Sequence, residues 1–167
     1  MNISLIKKQL SLLLLSGLIV ITSANAADST TQPPQPAVSS ATSEMVVYKS
    51  ASCGCCGDWV KHMEENGFKL KVHNTSDLNS IKQKAGLTPR LASCHTAFID
   101  GYVIEGHVPA NDVKRLLSEK PNINGLTVPG MPAGANVPGM EVSPENAEFD
   151  VLGFKKDGTV QRWSHYE

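Results

Sequence analysis

The chain has 167 residues, with 15 Lys plus Arg against 16 Asp plus Glu and a formal net charge of −1. This balance lacks the basic excess that nucleic-acid binding requires. The length suits one domain with a real core but not comfortably two.

Lys7 and Lys8 precede an uncharged apolar stretch over residues 10–21, which ends in Ser23-Ala24-Asn25-Ala26. That is the layout of a secretory signal peptide. The run is about a dozen residues, short of the roughly 20 that span a bilayer as a helix, and Ala24 and Ala26 suit signal peptidase. Cleavage is expected after Ala26, which removes residues 1–26 and leaves no membrane span; a retained anchor is the alternative. No cysteine follows the run, so lipidation is unsupported. Cleavage leaves 141 of the 167 residues and lowers Lys plus Arg from 15 to 13 against 16 acidic residues, a charge of about −3. All four cysteines enter an oxidising compartment, where two structural disulfides are the ordinary outcome, but their clustering argues against it.

Residues 27–44 are rich in Ser, Thr, Pro, Gln and Ala without an aromatic, and read as a disordered tether ahead of a domain over residues 45–167. Met45-Val46-Val47-Tyr48 reads as a strand. A helix is expected from Cys53 to about Asn66, with Trp59, Val60 and Met63 at helical spacing and Gly67 as its stop. Phe68-Lys69-Leu70-Lys71-Val72 alternates apolar with basic residues and predicts a second strand. Ser76 or Asp77 caps a second helix that carries Leu78 and Ile81 and ends at Gly86. Residues 97–106 read as a hairpin turned by Asp100-Gly101. Another helix runs from Pro109 to Glu119, with Val113, Leu116 and Leu117 inward. Residues 125–140 are too rich in Gly and Pro for regular structure. Residues 149–154 and 159–163, joined by Lys156-Asp157-Gly158, form a last hairpin. The succession predicts an α/β fold, a thioredoxin-like three-layer sandwich with a Gly/Pro/Met-rich loop and a C-terminal hairpin. The feature that selects this fold is a cysteine motif between the first strand and the first helix.

That motif, Cys53-Gly54-Cys55-Cys56, places thiols at a helix N-terminus, where free N–H groups and the helix dipole favour thiolate. On a helix Cys53 and Cys56 share a face and Cys55 is turned away. Three thiols exceed what one redox disulfide uses, which favours metal over a structural bridge. Cys94, in Ser93-Cys94-His95-Thr96, precedes a strand that the fold sets beside the first, where thioredoxins carry a cis-proline; here the nearest proline is Pro89. A proline there shields a dithiol, whereas a thiol completes a metal site. Zinc would accept four thiolates, but two separated C-x-x-C knuckles are absent. Val128-Pro129-Gly130-Met131 recurs as Val137-Pro138-Gly139-Met140. Thioether sulfur suits copper(I), so Met131 and Met140 are candidate ligands; packing into a hydrophobic groove is the alternative. His107, in Gly106-His107-Val108-Pro109, falls at the same end of the sheet as Cys94. Strand alternation predicts that His95 points to the opposite face. His62, His73 and His165 read as surface or packing residues.

The cysteine motif with Gly57 and Trp59, the Ser-Cys-His-Thr and Gly-His-Val-Pro segments and the two Pro-Gly-Met turns together resemble the CopG-like periplasmic copper-resistance proteins. That family was formerly catalogued as a domain of unknown function, and the resemblance covers about residues 46–163. It implies a thioredoxin-like periplasmic domain that binds copper and serves copper tolerance. By motif, Cys53, Cys55, Cys56 and Cys94 correspond to the metal thiolates, with His107, Met131 and Met140 as further ligands. The expected activity is to sequester or transfer copper, as one or more copper(I) ions, in exchange with other periplasmic copper-handling proteins. Copper redox chemistry is compatible with the same residues. The rivals are a thiol-disulfide oxidoreductase, with Cys53 as nucleophile and Cys56 as resolving thiol, and an inert disulfide module.

Overall fold

The computed structural model describes residues 43–167. The expected signal peptide, and the tether up to residue 42, lie outside the described residues.

Strand β1 (Met45–Lys49) alternates buried Met45 and Val47 with half-buried Val46 and Tyr48. It leads into helix α1 (Gly54–Glu65), where Trp59 and Met63, four apart, share one face and are fully buried. Gly67, at φ +89°, ends the turn after the helix in the left-handed region that glycine enters without strain. The second strand begins two residues later than the alternation predicts. Phe68 is spent on the return, its N–H bonded to the Met63 carbonyl and its ring buried. Strand β2 (Leu70–Asn74) then pairs parallel with β1. Helix α2 (Leu78–Lys84) is capped by Asp77, whose carboxylate accepts the Ser80 N–H at 3.3 Å.

Strands β3 (Thr96–Ile99) and β4 (Tyr102–Glu105) form the hairpin that Asp-Gly announces, with positive φ at both Asp100 and Gly101. Pro109 stands at the N-cap of helix α3 (Ala110–Glu119), one place before the first turn where it was expected. The stretch read as irregular contains a strand, β5 (Gly125–Thr127), parallel to β4. Gly125 is what admits it: a Cβ there would lie 2.7 Å from the Val103 carbonyl carbon. Strands β6 (Phe149–Phe154) and β7 (Val160–Tyr166) close the chain as the expected hairpin, with β7 running three residues further.

The fold is α/β: a mixed seven-stranded sheet in the order β2-β1-β3-β4-β5-β6-β7 with three helices among the described residues. Val47, Ala97, Ile104 and Leu126 sit in register across one face. With Trp59 and Met63 of α1 and Val113 and Leu116 of α3 they build the main core. Burial of each such large side chain contributes on the order of 1.5–3 kcal/mol. Residues of the opposite parity, Phe98, Val103, Leu152 and Phe154, pack with Ala85, Leu87 and Leu91 from the segment after α2. That segment leads to Cys94. No helix among the described residues is long and apolar enough to cross a membrane.

Candidate metal centre

The sheet brings the cysteines together. Strand β1 delivers the chain to a turn in which the Cys53 N–H bonds the Ser50 carbonyl at 3.1 Å, and Cys53 then becomes the N-cap of α1. Cys55 and Cys56 occupy the first helical turn. Strand β3 runs antiparallel beside β1, so the residues just before it return to the same end. The sulfurs of Cys53, Cys55, Cys56 and Cys94 all lie within 4.8 Å of one another. Cys53 and Cys56 are joined as a disulfide, while Cys55 and Cys94 are free thiols. Helical geometry predicts that Cys55 turns away, yet its sulfur is 3.6 Å from that of Cys53. The reason is that Cys53 is not helical: at φ −78° and ψ 96° its backbone is extended, so helical spacing does not apply to it.

His107 and His95 flank the fourth thiol. His107 Nε2 lies 3.1 Å from Cys94 Sγ, and its Nδ1 is 2.7 Å from the Pro138 carbonyl oxygen. A carbonyl only accepts, so Nδ1 carries the proton and the Nε2 lone pair faces the sulfur. His95 does not point to the opposite face. Its Nδ1 is 3.4 Å from Cys94 Sγ, and its ring packs 4.4 Å from Trp59 and 5.2 Å from His107. Strand alternation fails here because Cys94 and His95 precede β3, which begins at Thr96. His95 is fully buried, and its Nε2 has no hydrogen-bond partner among the described residues. Cys94, His95 and His107 form a second group of mutually close donors that shares Cys94 with the first. Trp59 floors it, held by a 2.9 Å bond from Nε1 to the Val108 carbonyl.

Burial pushes the Cys94 thiol up to about 11, against a smaller contribution from the Ser93 hydroxyl. Burial holds His95 well below its ordinary value, helped by His107, Lys82 and Lys49 nearby. Burial also lowers His107, opposed by its bond to Pro138. Both imidazoles are therefore neutral near pH 7, the form that ligates metals, and a metal arriving at Cys94 must displace a proton.

The two repeated turns clamp the site from different sides. In the first, the Gly130 N–H bonds the Ala92 carbonyl at 3.1 Å and the Ser93 hydroxyl donates to the Gly130 carbonyl at 2.5 Å, which pins the Cys94 loop. In the second, Gly139 lies so close to α1 that a Cβ would stand 2.6 Å from the Trp59 nitrogen and 2.7 Å from the Cys55 carbonyl oxygen. Met140 is half-buried against the main core, the packing expected of a groove-filling methionine, whereas Met131 is 62% exposed. The remaining histidines have local roles: His62 Nε2 accepts the Ala110 N–H at 3.2 Å, His73 stacks on Tyr48, and His165 is 2.8 Å from an Asp150 oxygen.

Residues 91–140 match a family described as a protein of unknown function, DUF411. Two solved structures, of copper resistance protein CopG in Form 1 and Form 2, are each 40% identical to the chain with a TM-score of 0.70. Each match covers 75% of this chain and 98% of the other.

The chain belongs to the CopG copper-resistance family.

No curated protein matches it. Within this CopG-family chain the segment over residues 91–140 takes in Cys94, His95, His107 and both Pro-Gly-Met turns, while the Cys53 motif lies ahead of it. His95 is the member of the second donor group that sequence reasoning set aside. Its position directly after Cys94 was the available signal, and strand alternation, applied to a residue that precedes its strand, discarded it.

Proposed function

We propose that this CopG-family protein binds copper(I) through Cys53, Cys55, Cys56 and Cys94 once the Cys53–Cys56 disulfide is reduced, and sequesters or passes on the ion in the service of copper tolerance. The observation that carries the reading is the convergence of four sulfurs within 4.8 Å. Donors about 2.3 Å from a common ion are roughly 3.8–4.6 Å apart, so the spread fits shared coordination. Thiolates are soft donors and bridge soft ions, so the cluster has capacity for more than one copper(I). His107, through its unprotonated Nε2, is the nitrogen donor best placed to join them. Met131 and Met140 extend the donor set on turns whose backbones reach the Cys94 loop and the Cys55 carbonyl. The leader over residues 1–26 directs the chain to the periplasm, where other copper-handling proteins would exchange the metal. The strand order β2-β1-β3-β4, with β2 parallel and β3 antiparallel to β1, supports a thioredoxin-like reading of the sheet. Copper loading of the reduced protein tests the proposal: a Cys53→Ser, Cys56→Ser double variant is expected to lose most of its bound copper, and unchanged loading would sink the reading.

The disulfide itself favours a second reading, a periplasmic thiol-disulfide oxidoreductase. The bridge would accept two electrons from a substrate dithiol, leaving Cys53 and Cys56 reduced and the substrate oxidised. Insulin reduction driven by an added dithiol, which reduces the bridge so that Cys53 and Cys56 can pass the electrons to insulin, separates the two readings, because a copper carrier shows little turnover and loses even that when copper is bound.

A further inference from the structure

A polar cluster under the Cys94 loop belongs to neither donor group. Glu105, the last residue of β4, is fully buried. One carboxylate oxygen accepts from the Lys82 ammonium at 2.5 Å and from the backbone N–H of Ser93 at 2.6 Å. The other accepts from the Thr96 hydroxyl at 2.7 Å, and Lys82 also donates to the Thr96 oxygen at 3.0 Å. A buried ion pair is a poor source of stability, because desolvation offsets much of its attraction and apolar replacements are often neutral. What this pair does besides is geometric. The carboxylate grips the peptide N–H one residue before Cys94, and its own chain continues through Gly106, whose N–H bonds the His95 carbonyl at 3.0 Å, to His107. Hydrogen bonds to a charged acceptor are shorter and stronger than neutral ones, which suits a loop lacking a strand ladder of its own.

We infer that Glu105 is a positioning residue for Cys94: by holding the Ser93 N–H it sets the Cys94 sulfur against the cysteine motif and His107, with Lys82 and Thr96 fixing the carboxylate. The inference rests on the copper reading only for its metal-binding consequence, so the test has two arms. In a Cys55→Ser background with the disulfide intact, Cys94 is the one free thiol of the four cysteines, and its alkylation by iodoacetamide reports the loop. Lys82→Met with Glu105→Leu removes the charge pair and the acceptor together. Lys82→Met with Glu105→Gln keeps an amide oxygen for Ser93. Loss of a charge-assisted bond predicts alkylation about tenfold faster or more in the leucine pair, with the glutamine pair close to the parent. An unchanged rate in a folded leucine pair, or the same rise in both pairs, overturns the inference. Should the leucine pair fail to fold, amide exchange in the unaltered protein decides: Ser93 is expected to be as protected as the amides of β3, and free exchange there overturns the inference. In the second arm, with all four cysteines reduced, the leucine pair is expected to hold copper(I) about 10–100-fold more weakly against a competing chelator than the unaltered protein. Unweakened binding overturns the inference; absence of copper from the unaltered protein sinks the copper reading and leaves the alkylation result standing.

Discussion

Gly130 and Gly139 occupy the same place in two identical four-residue turns, with φ of +70° and +78°. An alanine at either position incurs the left-handed backbone penalty, about 1–2 kcal/mol. At Gly130 that is the whole cost, because nothing lies within 4 Å of the added methyl. At Gly139 the methyl would meet the Trp59 nitrogen at 2.6 Å, the Cys55 carbonyl oxygen at 2.7 Å and the Trp59 Cα at 3.1 Å. All three are backbone atoms of α1 and cannot rotate away. Overpacking of this kind adds about 1–3 kcal/mol. Gly139→Ala is therefore expected to cost about 2–5 kcal/mol and Gly130→Ala about 1–2. Urea unfolding followed by tryptophan fluorescence measures both. For a domain of this size each kcal/mol corresponds to a drop of about 3–5 °C in Tm. Costs equal within about 0.5 kcal/mol would refute the claim that the second turn, unlike the first, is seated on the cysteine helix.

Three further outcomes are expected. Burial and the bond to Asp112 hold the Tyr166 hydroxyl above the usual phenol range. Its contribution is full below about pH 10 and is lost as pH rises, because the unfolded chain ionises first; Tyr166→Phe should flatten the alkaline fall in urea-measured stability. His95 and His107 are held below their ordinary values, so their contribution is present above about pH 6.5 and lost as pH falls, by up to about 1.4 kcal/mol per pH unit for each. A flat stability profile between pH 7 and 5 would contradict their neutral burial. Trp59→Phe leaves the Val108 carbonyl without its 2.9 Å partner and should cost about 1–3 kcal/mol by chemical denaturation.

What the sequence made legible is what local chemistry decides. Asp100-Gly101 announces a hairpin because both residues tolerate positive φ, Asp77 announces a helix start because its carboxylate reaches the Ser80 N–H, and Trp59 with Met63 marks a buried helix face. The elements that escaped depend on partners distant in the chain. Strand β5 is three residues long and exists through pairing with β4 and β6, with Gly125 admitting the Val103 backbone. The site was legible as a set of cysteines and His107, but its arrangement was not. Periodicity rules assigned Cys55 and His95 to the wrong sides, because Cys53 is an extended N-cap and His95 precedes its strand. Nor does the repeat reveal that only its second copy presses a glycine onto the cysteine helix, since identical residues there meet different neighbours.

Whether the four clustered thiols hold copper(I) is open to direct measurement. The direct measurement is anaerobic copper(I) loading of the protein, once fully reduced and once with its disulfide intact, followed by removal of excess ion and a count of metal and free thiols per chain. One or more coppers are expected to stay with the reduced protein, its thiols protected, with markedly weaker retention when Cys53 and Cys56 are bridged. Reduced protein that keeps no copper, or equal retention in the two forms, would contradict the copper(I) reading.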